Sequence, residues 1–157
     1  MTIVVFMNNM WLRGAVLCIC LVYALAAAAA QVAVPVKVAV FDFELNDTSL
    51  DGEINGPNGD ETARLATLGV QLRRAYAATD GYAVVDIAPV ADEARSRHLQ
   101  ACGACDASMA RKLGADFAVT GSVNKISNLI LNITVQVRDA ESREVRRSVN
   151  ADIRGNT

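Results

Sequence analysis

The sequence predicts an α/β (α+β) domain: a mixed sheet of about five strands, element order β-α-β-α-α-β-β-β, with helices packed on one face. Three observations carry this. Val36–Phe43, VKVAVFDF, is apolar on both faces, as a buried central strand is. Ala63–Ala78 carries a helical apolar stripe between two strand-like runs, which implies a crossover unit. Leu129, Leu131, Ile133, Val135 and Val137 alternate with mostly polar residues, which implies an antiparallel hairpin at the end of the chain.

The first strand follows a short lead-in, Gln31–Pro35. Residues 44–59, ELNDTSLDGEINGPNG, mix turn formers with acids and read as a long loop. Asp60 is placed to cap the next helix. That helix carries Leu65, Leu68, Leu72 and Tyr76 on one stripe, and Thr79-Asp80-Gly81 ends it. Tyr82–Ile87 reads as the second strand. Pro89 opens a polar helix, and Ala104–Leu113 forms another that ends at Gly114. The third strand is ADFAVTGSVNKI, with Gly121 marking a bulge or a close approach. After the hairpin partner, Ala140–Ser142 turns the chain into REVRRSVNADI. That last strand has a weaker apolar face of Val145, Val149 and Ala151/Ile153, as an edge strand would. The meander needs cover on its inner face, so a further helix or a partner is expected there.

The chain has 157 residues and is 52% hydrophobic, with a mean hydropathy of +0.25. The excess is local, since 25 of the first 30 residues are apolar. Arg13 precedes GAVLCICLVYALAAAAA, which ends in small residues satisfying A-x-A before Gln31. That is the pattern of a signal peptide over residues 1–30, cleaved near Ala30. Met7 and Met10 are alternative starts. Cys18 follows Leu17 and Cys20 follows Ile19, so neither has the small preceding residue that lipidation requires. Residues 31–157 then form a single periplasmic domain with 14 Lys/Arg and 17 Asp/Glu. No basic block or basic helix face marks a nucleic-acid partner. Membrane contact is expected only through the signal peptide during export.

Cys102-Gly-Ala-Cys105 is the most informative local motif. A thioredoxin-like site needs an apolar strand running into the pair and a later proline opposite it. ARSRHLQA precedes the pair, and Pro35, Pro57 and Pro89 all lie earlier. Haem attachment needs His at position 106, which is Asp. His98, Cys102 and Cys105 have a ligand-like spacing, but a structural zinc site takes four ligands and no second cysteine pair exists. In an exported chain the favoured reading is a local disulfide, Cys102–Cys105. Its loop is tiny, so it contributes about 2 kcal/mol at most.

Asp42 and Glu44 end the first strand, where α/β sheets often place function. Together with His98, the only histidine, they are possible binding residues, although strand-end capping explains the two acids equally simply. Ser122-Val-Asn-Lys125 matches S-x-x-K, but in a strand residues i and i+3 point to opposite faces. No phosphate-cradling glycine loop occurs, and neither a cofactor nor a metal is expected.

Phe41-Asp42-Phe43, the run Leu113–Val123 (LGADFAVTGSV) and the turn Asp139–Val145 also carry a resemblance. The chain resembles a group of bacterial envelope domains. These include the N-terminal domain of the Tol translocation protein, the curli secretion lipoprotein and activator lipoproteins of penicillin-binding proteins. It is also similar to a set of secreted bacterial proteins of unknown function, some encoded near quinoprotein alcohol-oxidation genes. The resemblance covers most of residues 36–157, and its motifs mark strands and turns, not chemistry. It departs at Arg143, where many relatives have the turn glycine, and at the C-terminus, which lacks an expected helix.

The resulting expectation is a non-enzymatic periplasmic accessory domain that engages another envelope or secreted protein. Two alternatives stand beside it. One is a small-molecule or metal binder serving a quinoprotein-type oxidation system, with residues 44–59 as a lid. The other is a thiol redox protein using Cys102 and Cys105.

Overall fold

A computed structural model describes residues 34–155. The signal peptide expected over residues 1–30 lies outside the described residues. Strand β1 (Val36–Asp47) leads into helices α1 (Leu50–Asn55) and α2 (Gly59–Ala77), then strand β2 (Tyr82–Val84). A 3-10 turn (Ala88–Val90) leads into α3 (Ala91–Arg95) and α4 (Cys105–Lys112). Strands β3 (Phe117–Ser127), β4 (Ile130–Asp139) and β5 (Val145–Arg154) complete a five-stranded sheet of order β2-β1-β3-β4-β5. β1 is parallel to β2 and to β3, and β3-β4-β5 is an antiparallel meander. This is the mixed α/β sheet that the sequence predicts.

The helices, however, lie on both faces and not on one. The connection β1→β2 steps one way across the sheet, and β2→β3 steps back over β1. Parallel crossovers are right-handed, so opposite steps put their helices on opposite faces. Val38, Val40 and Val119 accordingly pack with Leu72 and Tyr76 of α2. Ala39, Phe41 and Ala118 pack on the other side with Ala94 of α3, Leu99, and Met109 and Ala110 of α4. The doubly apolar pattern of β1 is the sequence signature of this arrangement.

The segment 44–59 is not a long loop. β1 continues to Asp47, and α1 starts at once. Asp47 Oδ1 accepts from the Ser49 N–H and hydroxyl, and Ser49 Oγ caps α1 by accepting from Gly52 N–H. Asn58, not Asp60, caps α2, its Oδ1 accepting from Asp60 N–H at 2.8 Å. The polar helix after Pro89 is shorter than its composition suggests, ending at Arg95. The second strand is likewise short, because only Tyr82–Val84 finds a partner on β1.

Candidate functional site

Asp42 and Glu44 would share a face in a regular strand. A bulge separates them. Val40 pairs with Val119 and Phe43 with Gly121, so Phe41 and Asp42 together oppose one residue of β3. Asp42 turns to the α2 side and pairs with Arg73, whose Nε also donates to the Val40 carbonyl at 3.1 Å. Glu44 turns to the opposite side. Its Oε1 accepts from Leu99 N–H at 2.6 Å, and its Oε2 lies 3.4 Å from His98 Nδ1. The His98 side chain is 79% exposed. Gly121 sits directly under the Phe43 ring, where an added Cβ would collide. The close approach read from Gly121 is therefore real.

A cleft of about 300 Å³ opens beside this bulge. Asp42, Glu44 and His98 all line it, together with Phe43, Arg95 and Arg97. The fold thus brings the three candidate residues to one place. Glu44 is engaged by a backbone donor and Asp42 by an arginine, so both carboxylates serve as fixed anchors at the rim.

Cys102 and Cys105 are joined, with Cα atoms 5.6 Å apart. Cys105 is the first residue of α4, and its N–H donates to Cys102 Sγ at 3.2 Å. The loop holds Gln100 beneath the sheet. There its amide nitrogen donates to the carbonyls of Thr120 and Thr134, and its oxygen accepts from Ser122. Among the described residues no three His, Cys, Asp or Glu side chains converge as metal ligands.

Ser122 and Lys125 point to opposite faces, as strand geometry requires. Lys125 shows what the sequence reading missed. It is 1% exposed and reaches Glu61 Oε1 at 2.8 Å, Asp47 Oδ2 at 3.1 Å and Asp51 Oδ2 at 3.6 Å. The Glu61 hydrogen bond raises the Lys125 pKa, outweighing the lowering effect of burial. Burial pushes Asp47 up, but the Ser49 donors and Lys125 outweigh it and hold the carboxyl below its ordinary value. The available signal was phase. After Val119 and Val123, position 125 falls on the same inward face, so a lysine there demands buried acids.

The outer half of the sheet is different in kind. Every residue of β5 is exposed. The register places Leu131, Ile133 and Val135 of β4 and Val149, Ala151 and Ile153 of β5 on the α2 side. The opposite side is a polar ladder, in which Asn132 donates to Asp152 and Thr134 donates to Asn150. On the apolar side α2 packs over β1 and β2. This leaves a groove of about 330 Å³ between Leu65 and Leu68 of α2 and Leu131, Ile133 and Ile153.

No helix of the described residues is long and apolar enough to cross a membrane. The fold is similar to that of E. coli LpoB, with 15% identity and a TM-score of 0.50, covering 77% of this chain and 57% of that one. It is also similar to the C-terminal domain of LpoB from Salmonella enterica, with 13% identity and a TM-score of 0.49, covering 83% and 91%. The lipoprotein GNA1162 from Neisseria meningitidis gives 16% identity and a TM-score of 0.49, covering 78% and 83%. At these identities the likeness is one of fold. No curated protein matches the chain in sequence. A family model does match it, over residues 36–157, and the chain belongs to that family, described as "Protein of unknown function (DUF2380)".

Proposed function

We propose that this chain is a non-catalytic accessory domain of the bacterial envelope, exported to the periplasm after loss of residues 1–30. In this reading it engages another envelope or secreted protein through the apolar side of β4–β5. The observation that carries it is that this face is left without a covering helix among the described residues. Val149 and Ile153 are 50% and 39% exposed on a side of the sheet whose inner half is packed under α2. Exposed apolar surface contiguous with a core and rimmed by polar residues marks protein docking. The resemblance to bacterial envelope domains read from the sequence supports the same setting.

The test is a paired substitution, Ile133→Lys with Ile153→Lys. It is expected to abolish co-purification of the partner from periplasm while thermal melting stays within a few degrees of the parent. Unchanged co-purification overturns the reading.

The cleft at Asp42, Glu44 and His98 favours a second reading, a small-molecule binder serving a quinoprotein-type oxidation system. A thermal-shift screen of periplasmic metabolites that stabilises the parent but not Glu44→Gln supports it. No shift with any compound removes it.

A further inference from the structure

We propose that the cleft beside the β1 bulge takes an extended peptide of a partner protein, which adds as a strand to the open edge of β1 at Phe43 and Leu45. This rests on the reading of that cleft as a binding site and gives it a peptide in place of a small molecule. The apolar face of β4–β5 plays no part in it.

The edge is open because β1 outruns its neighbour. β2 pairs only with Val36, Lys37 and Val38, while β1 continues beside β3 as far as Asp47. In a parallel sheet the main-chain groups of successive residues point to alternate edges of the strand. Before the bulge Val36 and Val38 face β2. Val36 N–H donates to the Gly81 carbonyl, and the Val38 carbonyl accepts from Val85 N–H. The next carbonyl of that series, Val40, is taken by Arg73 Nε. The bulge then inserts one residue and reverses the phase. Beyond it, Thr48 N–H donates to the Lys125 carbonyl of β3 at 2.9 Å, so Asn46 and Glu44 face β3 as well. Phe43 and Leu45 therefore turn their N–H and C=O groups away from β3. Among the described residues no hydrogen bond reaches them on that side.

Main-chain spacing, place in the fold and charge all point to this occupant. The edge offers a donor and an acceptor on every second residue, about 6.6 Å apart, which is the repeat of another extended chain. The cleft of about 300 Å³ runs along Phe43 and Leu45, with Ala91, Ala94 and Arg97 on its far wall. It lies past the carboxyl end of β2, between two parallel strands whose connections leave to opposite faces, which is where α/β sheets take ligands. Of the cations on that wall, Arg95 pairs with Asp92 and His98 lies against Glu44. Arg97 is the least engaged, 3.9 Å from Glu93, which Lys112 already holds at 2.8 Å. The two acids of the cleft are occupied, Asp42 by Arg73 and Glu44 by Leu99 N–H. The wall thus lacks an acid within reach of Arg97. Phe43 and Leu45 share the α2 side with their register partners Gly121 and Val123. The fitting peptide therefore sets apolar residues beside Phe43 and Leu45 and alternates them with polar ones, one of them acidic.

The probe is a blocked pentapeptide in which valine alternates with threonine and glutamate, added to the mature chain. Amide hydrogen exchange, followed residue by residue by NMR, is expected to be fast at Phe43 and Leu45 and slow at Glu44 and Asn46 in the free chain. The peptide is expected to slow exchange at Phe43 and Leu45 about tenfold. Methylating alternate peptide nitrogens is expected to raise Kd about tenfold in one phase and far less in the other, because only one edge of the peptide meets β1. Arg97→Glu is expected to weaken the glutamate peptide about fivefold, and replacing that glutamate by lysine restores binding. A thermal melt confirms that the variant is folded. Phe43 and Leu45 amides as protected as those of Glu44 and Asn46 in the free chain overturn the open edge. No slowing by the peptide, or equal loss from both phases of methylation, overturns strand addition. A metabolite that stabilises the parent but not Glu44→Gln, with no peptide effect, keeps the cleft as a site and refutes only the peptide. No response to either refutes both.

Discussion

Lys125 donates to Glu61 at 2.8 Å across 64 residues of chain, from a side chain almost wholly removed from water. The contact ties the first turn of α2 to the end of β3, and Asp47 and Asp51 bring β1 and α1 into the same cluster. Breaking a buried ion pair from one side strands charge in low dielectric. Lys125→Met is therefore expected to destabilise the domain by about 3–5 kcal/mol, read as a lower urea midpoint. A loss under about 1 kcal/mol would place this cluster among ordinary surface ion pairs.

The same lysine sets an alkaline limit. Its pKa is raised in the folded state, so its contribution is full below the ordinary value of 10.5 and is lost as pH rises through the raised one. Chemical denaturation followed from pH 8 to 12 is expected to show this loss in the parent and its absence in Lys125→Met.

An acid limit comes from Asp139, whose pKa falls from 3.8 to about 2. The Ser142 N–H and then the Arg146 side chain favour its charged form, and Glu141 N–H adds to them. A depressed pKa gives stability that is full above 3.8 and lost as pH falls toward about 2. Asp139→Asn is expected to flatten the stability profile over that window and leave its alkaline side unchanged.

The tight turn after Asp139 also holds Arg143 at φ +63°. A side chain in that region costs about 1–2 kcal/mol relative to the right-handed form, and glycine avoids most of the cost. Arg143→Gly is expected to stabilise the domain by about 1 kcal/mol, measured by urea unfolding. The resemblance read from the sequence expected glycine here, and the backbone gives the physical reason.

Gly121→Ala is expected to destabilise by about 1–3 kcal/mol, because its Cβ would enter the Phe43 ring. Adding Phe43→Leu is expected to recover part of the loss. Full additivity of the two changes would show that the ring and the glycine are not coupled.

The sheet was legible wherever apolar period and turn chemistry agreed. VKVAVFDF marked β1, the alternation from Leu129 to Val137 marked β4, and the exposed weak face of β5 was visible in Val149 and Ile153, whereas the bulge at Arg146 turns Val145 to the opposite face. Two features were not legible for a shared reason: they depend on contacts far apart in sequence. The helix α1 hides in a stretch of turn formers because Asp51 within it and Asp47 just before it are held by Lys125, a strand residue far downstream. The bulge at Phe41-Asp42 leaves no compositional mark, yet it decides that Asp42 meets Arg73 while Glu44 meets Leu99 and His98. The two-sided placement of helices, by contrast, was implied by β1 and by the handedness of crossovers once the strand order is known.

The central claim is that a protein partner covers the apolar side of β4–β5. Photo-crosslinking in living cells tests it most directly, with the reactive residue placed at Ile153 on the apolar side or at Asn150 on the polar ladder of the same strand. The account predicts one discrete adduct to another envelope or secreted protein from position 153 and none from position 150. Adducts of equal strength from both positions, or none from position 153, would contradict it.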